Sequence, residues 1–137
     1  MNMLRLETEA KLESLEEVME FLDTGLEETG FDMKAKMQIE LSVEELFVNI
    51  ANYAYPEGGG FAVVTFEHDP EAREIKITFS DQGLPYDPLS KDDPDISLGA
   101  DERQIGGLGV FLVKKNMDQV SYEYVDGRNV TTISKKY

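Results

Sequence analysis

The sequence contains no cysteine, no tryptophan and a single histidine, and it has only 13 Lys and Arg residues against 28 Asp and Glu residues. The absence of Cys excludes disulfide frameworks, Cys-type zinc sites and thiol catalysis, and it is compatible with a reducing compartment. A formal net charge of -15 repels nucleic-acid phosphates and anionic lipid headgroups, so neither nucleic acid nor a membrane is an expected partner. The charge indicates either a well-solvated surface or a surface matched to a basic protein partner.

Long apolar runs are also missing. No stretch approaches the roughly 20 apolar residues that a bilayer-spanning helix needs, and the start "MNMLRLETEA" has no basic segment leading into an apolar one. We therefore expect a cytoplasmic protein. A chain of 137 residues can bury a real core but is too short for a second substrate domain, which predicts a single domain over residues 1–137.

The hydrophobic pattern predicts the order strand, helix, helix, two strands, long loop, helix, two strands. "MLRLETEA" alternates as a strand does, whereas apolar spacing predicts one helix in "LESLEEVMEFLDTGLEE" and another from a cap at Asp32 to the stop signal "YPEGGG". "FAVVTFEH" and "REIKITFSD" predict one hairpin, and "QVSYEYV" and "RNVTTISKKY" predict another. This order predicts an α/β chain of the α+β two-layer type, a sheet with its helices on one face. Phe61, Phe66 and Phe79 are the expected aromatic core residues.

The segment from Gln82 to Ile105 is rich in turn residues and has no sustained hydrophobic period. Loops of this length in compact domains are usually functional lids or disordered insertions. The glycines of "QIGGLGVFLVKK" follow it and lead a predicted helix, so bare N–H groups and the positive helix end could meet phosphate oxygens. It is not a Walker loop, because no Lys-Ser or Lys-Thr follows the last glycine, and a hinge for the lid is the alternative interpretation.

Three polar residues, Glu45, Asn49 and Asn52, interrupt the apolar stretch "VEELFVNIANYAYPEGGG". Because side chains one turn apart share a helix face, they are expected to form a polar stripe beside the apolar one. An amide oxygen suits a hard cation such as Mg2+, and a carboxylate one turn earlier could accept a proton from an attacking hydroxyl or water. The alternative is an ordinary exposed stripe on an amphipathic helix.

In "ITFSDQGLPYDP", Asp81 ends an apolar strand and Gly83 opens the long loop. A carboxylate at that place can accept a hydrogen bond from an exocyclic amine, and a residue without Cβ lets a flat base come close. Asp, Gly and Pro are also ordinary turn residues, so a plain turn is the alternative.

Three motifs occur in one order: Glu45-x-x-x-Asn49, Asp81-x-Gly83-x-Pro85 and Gly106-Gly107-Leu108-Gly109. They resemble the N, G1 and G2 boxes of the GHKL (histidine kinase-like) ATPase and kinase superfamily. From about Leu4 to the C-terminus the chain is most similar to the anti-sigma-factor serine/threonine-protein kinases, particularly in "GLPYDP" and "GGLGVFLVKKNMDQVSYEY". The resemblance implies a Bergerat-type ATP-binding fold with a mixed, mostly antiparallel sheet, an ATP lid over about residues 84–105, and ATP and Mg2+ as ligands.

The resemblance also implies a role for each matching residue. Glu45 would be the general base that activates a partner's serine hydroxyl, and Asn49 would ligate Mg2+ at the nucleotide. Asp81 would bind the adenine amine, and Gly83 would make room for the base. The remaining implied nucleotide-binding residues are those of the third motif, through their backbone N–H groups, and a lid arginine: Gly106, Gly107, Leu108, Gly109 and Arg103.

The function implied by the resemblance is an anti-sigma factor with serine/threonine kinase activity. It would phosphorylate an anti-sigma-factor antagonist of the STAS type and sequester a sigma factor, and the resemblance is compatible with a homodimer. A regulatory module that binds ATP and captures a partner without phosphoryl transfer is the alternative, and Glu45 favours the enzyme because a pure binder needs no base there. The catalytic domain of a histidine kinase would need a preceding helical pair bearing a phosphoacceptor histidine, and a protein without any ligand would not need the three motifs.

Two features depart from the family pattern. Many relatives carry a His where this chain has Tyr53, a difference that we expect to change local packing more than ATP binding. The lid segment "KDDPDISLGADER" is acidic, so its side chains either point to water, weaken nucleotide binding, or dock a basic partner. His68, at the end of a predicted strand and without a second His or Cys, is expected to be neither a metal ligand nor a phosphoacceptor.

Overall fold

The structure, a computed structural model, describes residues 2–89 and 107–137 of the chain. Within these residues the elements follow the predicted order, with a short 3-10 turn (Leu12–Ser14) before the first α-helix. They are β1 (Asn2–Glu9), α1 (Leu15–Leu26), α2 (Met33–Tyr53), β2 (Phe61–Asp69), β3 (Glu74–Asp81), α3 (Gly107–Asn116), β4 (Gln119–Val125) and β5 (Arg128–Lys136). Most of the predicted lid, including Arg103, lies outside the described residues, as does Gly106.

The five described strands form one sheet in the order β1-β2-β3-β5-β4. The expected sheet is mixed and mostly antiparallel. All four pairings among the described strands are antiparallel. Short turns impose this direction on the β2-β3 and β4-β5 hairpins. The register sets Asp81 directly opposite Ala62 on one side and Asn129 on the other. Asp81 therefore ends the central strand with neighbours on both sides.

The helices cover one face of the sheet, as predicted. Along β2 the alternate residues Ala62, Val64 and Phe66 are buried, and Phe79 on β3 joins them. The expectation that Phe66 and Phe79 lie in the core is confirmed, but the one for Phe61 is wrong, because its side chain is 53% exposed. Successive side chains of a strand point to opposite faces, so Phe61 faces away from the helices.

Helix α1 contains Gly25, a residue type that weakens a helix interior. The helix nevertheless continues to Leu26. A Cβ on Gly25 would come within 2.7 Å of the Phe66 ring. The glycine therefore lets α1 approach the sheet closely, and the packing of α1 on β2 offsets its low helix propensity.

Helix α2 carries most of the candidate site. It begins at the predicted cap, where the Asp32 carboxylate accepts a hydrogen bond from the Ala35 N–H at 2.8 Å. Ile39, Val43 and Leu46 anchor its apolar face in the core. No helix in the described part of the chain is long and apolar enough to cross a bilayer.

His68 belongs to a small cluster at the far end of the sheet. It is 3% exposed, and its Nε2 lies 2.7 Å from the Tyr137 hydroxyl. The Tyr137 ring packs edge-on against Phe31, with centroids 4.9 Å apart, and lies 4.8 Å below the Arg73 guanidinium. His68 thus has a structural partner within the core.

Replacing Tyr137 with Phe removes this hydroxyl and keeps the ring. One buried nitrogen of His68 then loses its partner, so we expect the free energy of unfolding to fall by about 1–3 kcal/mol. Urea denaturation of both proteins measures the difference. Tyr124→Phe is the control, because Tyr124 is 47% exposed and its variant should stay within about 0.5 kcal/mol of the parent. Equal stability of the Tyr137→Phe variant and the parent would contradict the assigned contact.

Candidate nucleotide site

A cleft lies between the second half of α2 and the adjoining ends of β3 and β5. It brings together Asn49 of the first predicted motif and Asp81 of the second, which are 32 positions apart in the sequence. The residues that line it are Leu46, Asn49, Ile50, Ala54, Phe79, Asp81, Tyr86, Pro88, Asn129 and Thr131. Apolar walls with a few polar groups are typical of sites that hold a flat organic ligand.

The cleft is narrow. Its free centre has room for little more than a water molecule. Tyr86 and Pro88 form part of its wall, and the Tyr86 ring stacks on Tyr53 with centroids 5.3 Å apart and planes at 24°. A purine base therefore needs this wall to move outward. Tyr53, the departure from the family pattern, packs against the wall of the cleft.

Asp81 is 6% exposed, and its hydrogen bonds are concentrated on one oxygen. Oδ1 accepts from the Gly83 N–H at 2.9 Å and from Asn129 Nδ2 at 2.9 Å. Among residues 2–89 and 107–137, Oδ2 has no hydrogen-bond partner. It is the oxygen left to accept a hydrogen bond from a ligand.

Gly83 is held against the end of α2 and does not line the cleft. The next residue, Leu84, donates its N–H to the Ala54 carbonyl at 2.8 Å, and a Cβ on Gly83 would overlap that carbonyl. The structure thus supplies a packing reason for this glycine, whereas the sequence interpretation was space for a base.

Asn49 is 7% exposed, and its buried Nδ2 forms no hydrogen bond of normal geometry within the described residues. A buried amide without a partner is costly, which suits a group waiting for a polar ligand. Because a terminal amide can present either its oxygen or its nitrogen, Asn49 fits an oxygen ligand of Mg2+. No described cluster of three His, Cys, Asp or Glu residues could hold a metal ion alone, so such an ion would also need ligands from the nucleotide or water.

Glu45 lies one turn before Asn49, in a groove between α2 and α3. It is half-buried, and a Cβ on Gly109 of α3 would overlap its carboxyl group. Burial raises the pKa of Glu45 above its ordinary value, the Asn49 amide partly opposes this rise, and Glu44 adds to it. A carboxylate with a raised pKa is a better proton acceptor.

Asn52 does not join this pair. Asn52, the third member of the predicted polar stripe, is exposed in the last turn of α2 and does not line the cleft. Asn129, in contrast, was not predicted. Asn is disfavoured in strands, so its place in the β-rich segment "RNVTTIS" was the available signal.

The third motif enters the structure at the start of α3. Gly107, Leu108 and Gly109 form the first turn of the helix, where N–H groups have no partner within the helix. Such a turn can bind phosphate oxygens. Because Gly109 has no Cβ, it also leaves room for the Glu45 carboxyl group.

Comparisons with known proteins agree with this geometry. A family model described as "Histidine kinase-like ATPase domain" matches residues 8–135. The serine/threonine-protein kinase BtrW of Bordetella bronchiseptica is 28% identical over 102 residues, which cover 74% of this chain and 70% of that protein. The serine-protein kinase RsbW of Listeria monocytogenes is 28% identical over 112 residues, covering 79% of this chain and 69% of the relative. RsbW of Staphylococcus aureus reaches 31% over 102 residues, covering 72% and 63%.

The fold has a solved counterpart. The crystal structure of the RsbU and RsbW domains of Rv1364c from Mycobacterium tuberculosis superposes with a TM-score of 0.70 at 14% identity. The match covers 99% of this chain and 32% of that longer chain, and at this identity it shows the shared fold alone. The prediction of a Bergerat-type fold is confirmed. Since the family model spans most of the chain, the protein belongs to the histidine kinase-like ATPase domain family, on the GHKL branch that contains the serine-protein kinases.

Proposed function

We propose that the protein is an ATP-dependent serine/threonine-protein kinase that acts as an anti-sigma factor. It would phosphorylate an anti-sigma-factor antagonist of the STAS type and sequester a sigma factor. The observation that carries the proposal is the placement of a half-buried Glu45 one turn before Asn49, beside a cleft that contains Asp81. The Nδ2 of Asn49 is buried and has no hydrogen bond of normal geometry among the described residues.

The cleft would take the adenine base of ATP. Asp81 would accept a hydrogen bond from the exocyclic amine, since its Oδ2 is free of partners among the described residues. The phosphates would then extend toward Asn49 and the first turn of α3, where the N–H groups of Gly107, Leu108 and Gly109 face them. Gly106 and Arg103 belong to the same proposed phosphate site.

Phosphoryl transfer would proceed by in-line attack of a serine hydroxyl on the γ-phosphorus. Glu45 would accept the hydroxyl proton as the new P–O bond forms and the bond to the ADP oxygen breaks. Asn49 would hold Mg2+, which when bound supplies positive charge to the phosphates. The α3 N–H groups would stabilise the charge that develops on the transferred group.

Four further features are proposed together with this function. The protein acts in the cytoplasm as a single domain over residues 1–137, it closes a lid over about residues 84–105 on ATP, and it forms a homodimer. These features come from the family resemblance, and the relatives named above align over 69–70% of their own length.

Calorimetry with ATP, in the presence and absence of Mg2+, tests the ligand site. The ratio of ATP affinities with and without Mg2+ is expected to be at least about tenfold smaller in Asn49→Ala than in the parent, because the variant lacks the protein's own ligand to the ion. Asn52→Ala is the matched control, since Asn52 lies three positions later on the same helix and is exposed. If both variants kept the full Mg2+ effect, Asn49 would not be the ligand.

Incubation of the protein with γ-labelled ATP and the STAS-type proteins of the same genome tests the transfer. The expected product is phosphoserine or phosphothreonine on one of them. If the protein bound ATP and formed a complex with one of these proteins but labelled none of them, the kinase proposal would be rejected. The alternative, an ATP-binding module that sequesters a partner, would then be the better account.

A further inference from the structure

Asn129 is the most fully engaged polar side chain of the cleft. It is 5% exposed, and Nδ2 donates to Asp81 Oδ1 at 2.9 Å and to the Leu84 carbonyl at 2.8 Å. Oδ1 accepts from the Tyr86 N–H at 3.1 Å and from the Tyr122 hydroxyl at 2.5 Å. The side chain thus joins β3, β4 and the first residues after β3.

The orientation of this amide is determined by its surroundings. Two neighbours, the Asp81 carboxylate and the Leu84 carbonyl, can only accept, and the Tyr86 N–H can only donate. Rotating the amide by half a turn would set its oxygen against two acceptors and its nitrogen against a donor. Asn129 therefore has one stable arrangement.

This arrangement also determines the carboxylate. The Gly83 N–H and Asn129 Nδ2 both bind Oδ1 of Asp81, so the carboxylate is held from two directions. The strand register supports the contact, because Asp81 and Asn129 are directly paired across β3 and β5. With Oδ1 occupied, Oδ2 is the oxygen left for a ligand.

We propose that Asn129 is a positioning residue that sets the preference of the cleft for 6-amino purines over 6-oxo purines. The inference rests on the proposed ATP site and extends it. A 6-amino group donates to Oδ2, whereas a 6-oxo group would bring an acceptor against a carboxylate. The discrimination is strong while the carboxylate cannot turn, and it weakens when Asn129 no longer holds it.

Asn129 acts on the approach to the cleft by the same contacts. It binds the Leu84 carbonyl and the Tyr86 N–H, and Tyr86 forms part of the wall that must move to admit a base. The Tyr122 hydroxyl is the second donor to Asn129, and burial raises the pKa of this hydroxyl above its ordinary value. The Asn129 amide thus connects Asp81, the proposed adenine-binding residue, to Tyr86 in the wall of the cleft.

The test compares the affinities of ATP and inosine triphosphate, which differ at position 6 of the purine, by calorimetry on the full chain. Asn129→Ala is expected to lower the ATP-to-inosine-triphosphate preference by at least about tenfold. Tyr122→Phe is the matched control, since it removes one bond to Oδ1 of Asn129 and leaves the bond from Nδ2 to Asp81. Its preference should stay within about threefold of the parent, which is less than half the free energy of a tenfold change.

Melting curves accompany each variant. If Asn129→Ala does not fold at the assay temperature, Asn129→Ser, which keeps a small polar side chain, serves for the same comparison. A variant that melts lower but keeps the parent's nucleotide preference would show a purely structural role and overturn the inference. If the parent binds neither nucleotide, the proposed ATP site fails and this inference fails with it, whereas an unchanged preference in a parent-like binder refutes the inference alone.

Discussion

Replacing Glu45 with Gln is expected to slow phosphoryl transfer by about 10²–10⁴-fold, the usual contribution of a general base, while ATP affinity stays within about threefold. Gln keeps the size and the hydrogen-bonding ability of the side chain, but it cannot accept the proton of the attacking hydroxyl. Glu45 lies in the groove between α2 and α3 and does not line the cleft proposed for adenine, so ATP binding should be nearly unaffected. Rates of label transfer and calorimetric affinities measure the two effects separately.

The pH dependence gives an independent measure of the same residue. Burial raises the pKa of Glu45, so the rate of transfer should fall with decreasing pH earlier than an ordinary glutamate would cause. The protonated carboxyl is favoured in the folded state, so Glu45 contributes stability at acid pH and loses that contribution as the pH rises through its raised pKa. At neutral pH the Glu45→Gln variant should therefore be at least as stable as the parent, and its lost activity cannot be assigned to unfolding.

Glu44→Gln is the matched control, because Glu44 is the preceding residue and is exposed. Its negative charge contributes to the raised pKa of Glu45, so this variant should keep its activity and shift the acid limb slightly toward lower pH. Full transfer activity in Glu45→Gln would refute its role as a base. The ATP-binding module without transfer would then be the better account.

Asp81→Asn is expected to weaken ATP binding by about 100-fold. The change removes a charged hydrogen-bond acceptor and sets the amide nitrogen of the new Asn, a donor, against the exocyclic amine of adenine, which is also a donor. The two groups that hold Oδ1, the Gly83 N–H and Asn129 Nδ2, would select the oxygen of the new amide. Its nitrogen must then face the ligand, where it meets the amine of adenine. Calorimetry with ATP measures the loss.

Asp69→Asn is a suitable control, because Asp69 lies at the opposite end of β2. Its Oδ1 accepts from two turn N–H groups, of Glu71 and Ala72, and an Asn can do the same. Parent-like ATP binding by Asp81→Asn would show that the cleft between α2 and the sheet is not the adenine site.

The sequence predicted the order of elements well because hydrophobic periodicity and caps are local signals. The helix cap at Asp32 and the burial of Phe66 at an alternate position of β2 are examples. Phe61 lies on the opposite face of the same strand, so its exposure depends on which face of β2 the helices cover. Local pattern determined the strand but did not fully determine which residues the core would contain.

The candidate site was less accessible to such reasoning. Asn49 and Asp81 were linked only by a family resemblance, since spacing along the chain does not show that α2 passes over the end of β3. Asn129 could not be assigned because its function depends on the register that pairs it with Asp81. Nor could the sequence reveal that Gly83 packs on the Ala54 carbonyl. These are long-range contacts, and a single sequence records them weakly.

The contact between Gly109 and Glu45 bears on how the protein can change by evolution or engineering. Glycine in a helix is roughly 1 kcal/mol less favourable than alanine, so exchange of glycine for alanine is a common route to a more stable protein. At Gly109, the third residue of α3, the added methyl group would occupy the space of the proposed base. Exchange of Gly109 for alanine is therefore not a route to a more stable protein that keeps this carboxylate in place, and the less favourable glycine remains at the start of α3.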